Sequence, residues 1–397
     1  MNTQTVYDHR DRCAIAGIGV TELSKRSGQS VLTLATRASL LAIADAGLRI
    51  ADVDGLVRCD LDRVAPNDLA HSLGIEHLTF WGTTTTGGGA PCGMIGQAVA
   101  AILSGQASTV LVYRALNGRS GQRYGQSDTT DTRVGGDGSY DEYFAPWGLT
   151  TPGQMWSLIA QRHMHDFGTT SEQLGEIALA CREHANRNPA AQMHDRTLTI
   201  DQYLDSRMIA SPLRLYDFCL ETDGACAVIV TTAERARDLA QPPVIIRAVA
   251  QGAPPQVQGG VCYPSLMRTE LVSQPSAAIA ETLYRRAGLG PDDIDTAQFY
   301  DCFTPTVLLQ LEDYGFCGRG EGGPFAASGA LRLNGRLPIN TSGGNLSEGY
   351  LHGLNHVLEG ARQVRGTSTG QVPNAETCLV TSGLPLISSA LILRSDA

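Results

Sequence analysis

Residues Leu337–Leu358 read LPINTSGGNLSEGYLHGLNHVL, and the run NLSEGYLHG from Asn345 to Gly353 carries most of the decision about fold and chemistry. Gly343 and Gly344 permit backbone conformations that bring N–H groups close to a ligand, and Ser347 is placed to cap a helix starting near Gly349. A loop feeding a helix N-terminus suits developing negative charge, because unpaired amides and the helix dipole both face it. Gly344, Tyr350 and His352 are therefore candidate walls of a site in which an oxyanion forms.

Further out, the chain repeats itself. The segment AGLRIADVDGLVRCD from Ala46 to Asp60 matches AGLGPDDIDTAQFYD from Ala287 to Asp301 at the Ala, Gly, Leu and all three Asp positions. A second pair keeps the same order: ILSGQA from Ile102 before a strand at Thr109, and VLEGAR from Val357 before a strand at Thr377. Each half closes on an apolar strand, ACAVIVT from Ala225 and SALILR from Ser389. Two strand–helix–strand halves follow, with alternating elements that predict a layered α/β architecture and mostly parallel central pairing.

The first half begins with the buried strand CAIAGIGV from Cys13. A helix over about Ser30–Ala46 comes next, with Leu34, Ala38, Leu41 and Ala42 on one face. Residues 117–210 have no counterpart in the second half and read as an insertion. It opens with a Gly-, Asp- and Thr-rich loop over Gln122–Tyr143 and continues with helices over Gln154–Asp166 and Ser171–Asn186, the second opened by a Thr170/Gln173 capping box. The division is thus 1–116 with 211–240, 117–210 inserted, and 241–397, with Gln241-Pro-Pro243 at the passage between halves.

Composition excludes several functions. The 397 residues carry a net charge of −10 and no basic stripe, which argues against nucleic acid or an anionic membrane surface as partner. No secretory signal and no run of eighteen apolar residues appears, so a cytoplasmic protein is expected. Ten cysteines without a C-x-x-C pair give neither a zinc site nor a disulfide framework.

These motifs resemble the thiolases, and within them the lipid-transfer or sterol-carrier subgroup. Asn-x-x-Gly-Gly followed by Gly-x-x-x-Gly looks like the C-terminal thiolase signature. RHMHDFGTTSEQL (Arg162–Leu174), SRMIASPLRLYDFCLETDGACAVIV (Ser206–Val230) and FYDCFTPTVLLQLEDYGFC (Phe299–Cys317) look like the subgroup. The resemblance covers nearly the whole chain. It implies the five-layered αβαβα thiolase fold built from two similar halves with an inserted loop domain, a homodimer, and an acyl-CoA substrate.

Departures from the thiolase pattern bear on the chemistry. The family's nucleophilic cysteine falls, counted without gaps from Ser104-Gly105, at Gly89; Cys92 reaches that slot only with a three-residue shift. The family's His-Asp-Cys-Phe is Tyr300-Asp301-Cys302-Phe303, its following Asn-Glu pair is Thr306 and Val307, and its second histidine is Tyr350. A dead paralogue would also lose these side chains. Tyrosine at both histidine positions, however, resembles the thiolase-like aldolases of bacterial steroid side-chain degradation. That resemblance implies retro-aldol cleavage of a β-hydroxyacyl-CoA to a ring ketone and propionyl-CoA. It also implies a separately encoded zinc-ribbon/OB-fold partner that completes a heterotetramer, with zinc in that partner and no cofactor in this chain.

The chemistry is coherent. A tertiary β-alcohol cannot be oxidised to a ketone, so cleavage must start from the alcohol itself. That step needs a base for the hydroxyl proton, stabilisation of the enolate and an acid for its α-carbon; Tyr300 and Tyr350 are assigned as this acid/base pair, with a phenol pKa lowered by its site. His352, Cys302, Gly344 and Cys92 are candidates for the pocket or for holding the enolate. Cys302 also reads as buried filler, and Cys92 as an inert core thiol.

Two other aldolase routes look closed. The sole lysine, Lys25, sits in a polar loop, which disfavours a Schiff base. His163 and His165 point apart on a helix, which disfavours a metal and suggests surface or interface roles. His352 and His356, four apart, are expected to share a helical face. The Gly-rich TTTTGGG from Thr83 to Gly89 lacks a P-loop ending and reads as pocket wall. A thiolase using Cys92 and a non-catalytic acyl-CoA-binding scaffold remain alternatives.

Overall fold

Two aspartates in each half show how the repeat is built. In the first, Asp52 accepts the Arg49 N–H at 2.9 Å and closes a 3₁₀ turn, while Asp54 accepts the N–H groups of Ser108 and Thr109 at 2.8–3.0 Å. In the second, Asp293 accepts the Gly290 N–H at 2.7 Å, and Asp295 those of Glu376 and Thr377 at 2.9 and 2.8 Å. Each clamp sets the start of one strand beside the next, so the matched aspartates are structural equivalents.

The computed structural model describes residues 9–85, 87–121, 145–253, 276–383 and 387–396. The expected Gln122–Tyr143 loop lies outside them. The first half comprises β1 (Cys13–Val20), α1 (Val31–Asp45), β2 (Gly55–Cys59), α2 (Pro66–Leu73), β3 (Phe80–Thr84), α3 (Pro91–Leu103) and β4 (Thr109–Asn117). Then come α4 (Pro152–Phe167), α5 (Ser171–Ala185), α6 (Ile200–Leu204), the small ribbon β5 (Met208–Ala210) and β6 (Leu213–Arg214), β7 (Asp223–Thr232) and α7 (Ala233–Arg237). The second half holds β8 (Val244–Gly252), α8 (Ser276–Ala287), β9 (Thr296–Gln298), α9 (Thr304–Asp313), α10 (Gly322–Ala327), α11 (Gly344–Ser347), α12 (Leu354–Arg365), β10 (Thr377–Gly383) and β11 (Ser388–Arg394).

Among the described residues nine strands form one sheet in the order β3-β2-β4-β7-β1-β8-β11-β10-β9. Only two residue pairs, Ala14 with Ile245 and Ile15 with Val244, join the halves at β1 and β8. The expectation of mostly parallel pairing is wrong for the centre. β2 pairs in parallel with β3 and β4, and β9 with β10, but β1, β7, β8 and β11 run antiparallel to their neighbours. In the second half β11 follows β10 after a connection too short for a crossover helix, so the two must pair antiparallel; in the first, β7 comes back antiparallel beside β4 only after the inserted helices α4–α6.

Three apolar cores separate the layers. One lies between α1 and the first half's strands, and one beneath α4, α5, α8 and α9 on the second half. Between them α3 and α12 touch each other, and each packs on strands of both halves, giving the middle layer of αβαβα. Helix α1 follows its apolar stripe through Leu34, Ala35, Ala38, Ala42 and Ile43, with Ser30 capping the Thr33 N–H at 3.1 Å. Leu41, expected on that face, stands at the stripe's margin and is 49% exposed.

The capping box of α5 forms as read, with Gln173 N–H to Thr170 Oγ1 at 3.4 Å and Thr170 N–H to Gln173 Oε1 at 3.0 Å. His184 is buried at its C-terminal end beside the Ile339–Asn340 backbone, and burial lowers its pKa from 6.5 to about 4. The folded pKa lies below the unfolded one, so the unfolded chain protonates first as pH falls. Stability is intact above pH 6.5 and declines toward pH 4. His184 is expected to account for a loss of about 2 kcal/mol between pH 7 and pH 5. Urea unfolding at both pH values checks this, and His184→Leu should remove that share of the slope.

Candidate active site

The site lies where α3, α11 and α12 converge on the segment after β9. Tyr300 is 1% exposed and its backbone is pinned: N–H donates to Thr381 Oγ1 at 2.9 Å, and C=O accepts from Thr306 Oγ1 at 2.9 Å and Gln310 Nε2 at 2.8 Å. Tyr350 is half-buried, and its N–H donates to Thr222 Oγ1 at 2.8 Å. The two phenol oxygens are 2.9 Å apart, a hydrogen bond in which either can donate. The two tyrosines thus occupy one site.

Burial pushes the Tyr300 phenol well above its usual value, with Tyr350, Cys302 and Cys219 adding to the effect. The expected lowering does not occur at Tyr300, because burial disfavours the charged phenolate. Tyr300 is therefore a neutral donor and acceptor.

Gly88 explains the glycine-rich run. The turn Gly87–Gly89 precedes α3, and a Cβ on Gly88 would overlap the Tyr300 hydroxyl and ring. The turn packs against the Tyr300 ring just ahead of α3. Gly89, the gapless nucleophile slot, lies in this turn, with no thiol there. Cys92 sits one residue into α3 but faces away: it is fully buried, its Sγ 3.4 Å from Val380 O and 3.2 Å from Ser382 Oγ. Burial pushes this thiol up to about 12. Neither pocket lining nor nucleophile fits that setting, and the reading of Cys92 as inert core thiol is the one the structure favours.

Asp301 organises the other wall. Its carboxylate accepts the N–H groups of Asn345 and Leu346 at 2.9 and 3.2 Å, and His356 Nε2 lies 2.9 Å away. Gly344 has φ +60 and a Cβ there would overlap this carboxylate, so the glycine is required by its approach to Asp301. Ser347 ends the short α11 and receives the Arg182 Nε–H at 3.0 Å; the helix it was expected to cap begins only at Leu354, after Gly353 at φ +87. Cys302 is buried near Tyr300, and its C=O accepts the Cys219 N–H at 3.0 Å.

The histidines separate. His352 precedes α12 in a left-handed conformation, φ +56, and meets Arg114; His356, on the first turn, meets Asp301. They share no face. His163, expected near the surface, is buried between Thr169 Oγ1 at 2.8 Å and Glu312 Oε1 at 3.0 Å, whereas His165 is exposed. Among the described residues no group of three His, Cys, Asp or Glu could hold a metal, and no helix is long and apolar enough to cross a membrane. Sequence reasoning missed Arg114, Asp62, Thr381 and Cys219, which come from strands or turns far away in the chain.

This architecture is the thiolase fold. A family model described as "Thiolase C-terminal domain-like" matches residues 264–394. The "17-hydroxy-3-oxo-4-pregnene-20-carboxyl-CoA lyase" of Mycobacterium tuberculosis is 47% identical over 384 residues, 96% of this chain and 99% of that protein. The "Steroid side-chain-cleaving aldolase" of Thermomonospora curvata is 45% identical over 385 residues, 96% and 98% of the two chains. The solved structure of an "Ltp2-ChsH2(DUF35) aldolase" superposes with a TM-score of 0.92 at 44% identity, covering 98% of each chain. The chain belongs to this family of thiolase-like, side-chain-cleaving aldolases, and it is a carbon–carbon lyase.

Proposed function

We propose that this enzyme cleaves the Cα–Cβ bond of a steroid side-chain β-hydroxyacyl-CoA bearing a tertiary alcohol, releasing a ring ketone and propionyl-CoA. The carrying observation is the 2.9 Å hydrogen bond between the Tyr300 and Tyr350 hydroxyls. Tyr350, on the exposed side, takes the alcohol proton and passes its own to Tyr300, which protonates Cα. The bond's electron pair moves into the thioester as an enolate, and both phenols end neutral. A relay of this kind needs no buried phenolate, which suits Tyr300. The thioester acts as electron sink, so no cofactor is required of this chain.

Support for the steroid class comes from the names of the two relatives, and for a partner from the DUF35 protein that the similar aldolase is named with. We extend these to a homodimer that binds a separately encoded zinc-ribbon/OB-fold protein as a heterotetramer in the cytoplasm, with any zinc in the partner. We likewise propose 117–210 as the inserted domain. The co-expressed pair, incubated with such a CoA thioester, should give ketone and propionyl-CoA by mass spectrometry. Tight binding without either product would instead support a scaffold. Cys92→Ser should keep at least about half of the wild-type rate, since a buried, neutral thiol takes no part; a trapped acyl-enzyme on Cys92 would restore the thiolase reading.

A further inference from the structure

Arg114, on β4, aims its guanidinium at His352, with Nε 3.0 Å and Nη2 2.6 Å from the imidazole Nδ1. Its Nη1 pairs with Asp62, whose carboxylate also accepts the N–H groups of Ala115 at 3.0 Å and Cys59 at 3.2 Å. All three side chains are at most 3% exposed. Burial raises the Asp62 carboxyl, with the Arg114 charge and two backbone N–H groups opposing; three donors on one carboxylate favour the ionised form.

A guanidinium offers only donors, so Nδ1 must present its lone pair, and the neutral ring then carries its proton on Nε2. A second proton would set an imidazolium against Arg114. Burial first, and that charge second, hold His352 well below the usual histidine range. With Nδ1 turned to the buried pair, Nε2 lies on the other side of the ring. The ring stands edge-on to Tyr350, centroids 5.0 Å apart at 89°, and its Cε1 is 3.6 Å from where a Gly87 side chain would start. His352 therefore stands beside Tyr350 and the glycine turn.

We infer that Asp62 and Arg114 are positioning residues that lock His352 as a neutral Nε2–H donor, and that this N–H holds the thioester oxygen as it becomes an enolate. The inference rests on the retro-aldol reading. As the Cα–Cβ bond breaks, its electron pair moves through the thioester onto that oxygen and strengthens the hydrogen bond. The Nε2 proton stays on nitrogen; the proton for Cα comes from the phenols. A neutral imidazole polarises the carbonyl without protonating the enolate oxygen, which leaves Cα as the atom that receives the proton.

The test has two readouts. In ¹⁵N-histidine-labelled free enzyme, assigned with His352→Phe, the His352 ring should show Nε2–H with Nδ1 unprotonated. His352→Phe should lower kcat by about 10²-fold or more while KM stays within about threefold. The double variant Asp62→Asn/Arg114→Gln, which avoids a stranded buried charge, should release the tautomer preference and lower kcat by about tenfold; Arg114→Lys should restore part of both. Nδ1–H in the wild type, or a double variant unchanged in tautomer and kcat, overturns the inference. So does a His352→Phe loss confined to KM. Absence of cleavage by the wild-type pair would sink the reaction and the enolate role together, whereas Tyr350-dependent cleavage with Nδ1–H at His352 sinks the relay alone.

Discussion

Tyr350→Phe should leave a folded enzyme whose single-turnover cleavage is slower by about 10³-fold, within the range for removing a general acid–base group. The change deletes one oxygen from a half-buried ring, so the packing of Tyr350 beside His352 and its N–H bond to Thr222 both survive. What disappears is the route by which the alcohol proton reaches Tyr300. Tyr300→Phe should be as damaging for the complementary reason, that Cα loses its donor. Its structural effect is also small, because the backbone bonds to Thr381, Thr306 and Gln310 do not involve the hydroxyl. Rapid-quench kinetics with mass detection, beside thermal melts within a few degrees of wild type, give the answer. Undiminished turnover in either variant removes the phenol pair from the mechanism.

Gly88→Ala should be nearly as severe, with kcat down by about 10²-fold and stability down by roughly 1–3 kcal/mol, the usual cost of overpacking. The new methyl would occupy the volume of the Tyr300 hydroxyl and ring edge. Tyr300 cannot retreat, since its N–H and C=O are both held, and the turn cannot easily move because α3 follows at Pro91. The signature is coupling. Adding Tyr300→Phe to Gly88→Ala should recover part of the lost stability, because the hydroxyl is the atom most crowded. Gly74→Ala serves as control: at φ +78 with no atom within 4 Å, it strains only the backbone and should leave kcat untouched. A Gly88→Ala enzyme with wild-type kcat would show that the turn does not hold Tyr300 in place.

What was legible before the structure follows from what sequence can encode locally. The matched aspartates were legible because each closes a turn a few residues away or starts the adjacent strand, a task that ties residue type to position. The helix cap at Thr170 was legible for the same reason. Tyr300 and Tyr350 were placed by resemblance alone, since nothing in their own surroundings marks a phenol 50 residues from another as its partner. Arg114 and Asp62 were invisible because β4 and the turn after β2 meet the 350s only through sheet register and layer packing. The helix expected across His352 and His356 failed at a left-handed pair, His352 and Gly353, which turns the chain between two aims. Central strand direction failed because alternation of elements does not reveal which strands return as neighbours.

The middle layer has one further implication. Helix α3 and its glycine turn come from the first half, as does Arg114, while both phenols and His352 come from the second. Neither half on its own contains the whole of the proposed site, although each repeats the same structural plan. Chemistry in such a molecule is a property of the join, so new reactions arise most readily by exchanging side chains there while the surrounding sheets stay as they were.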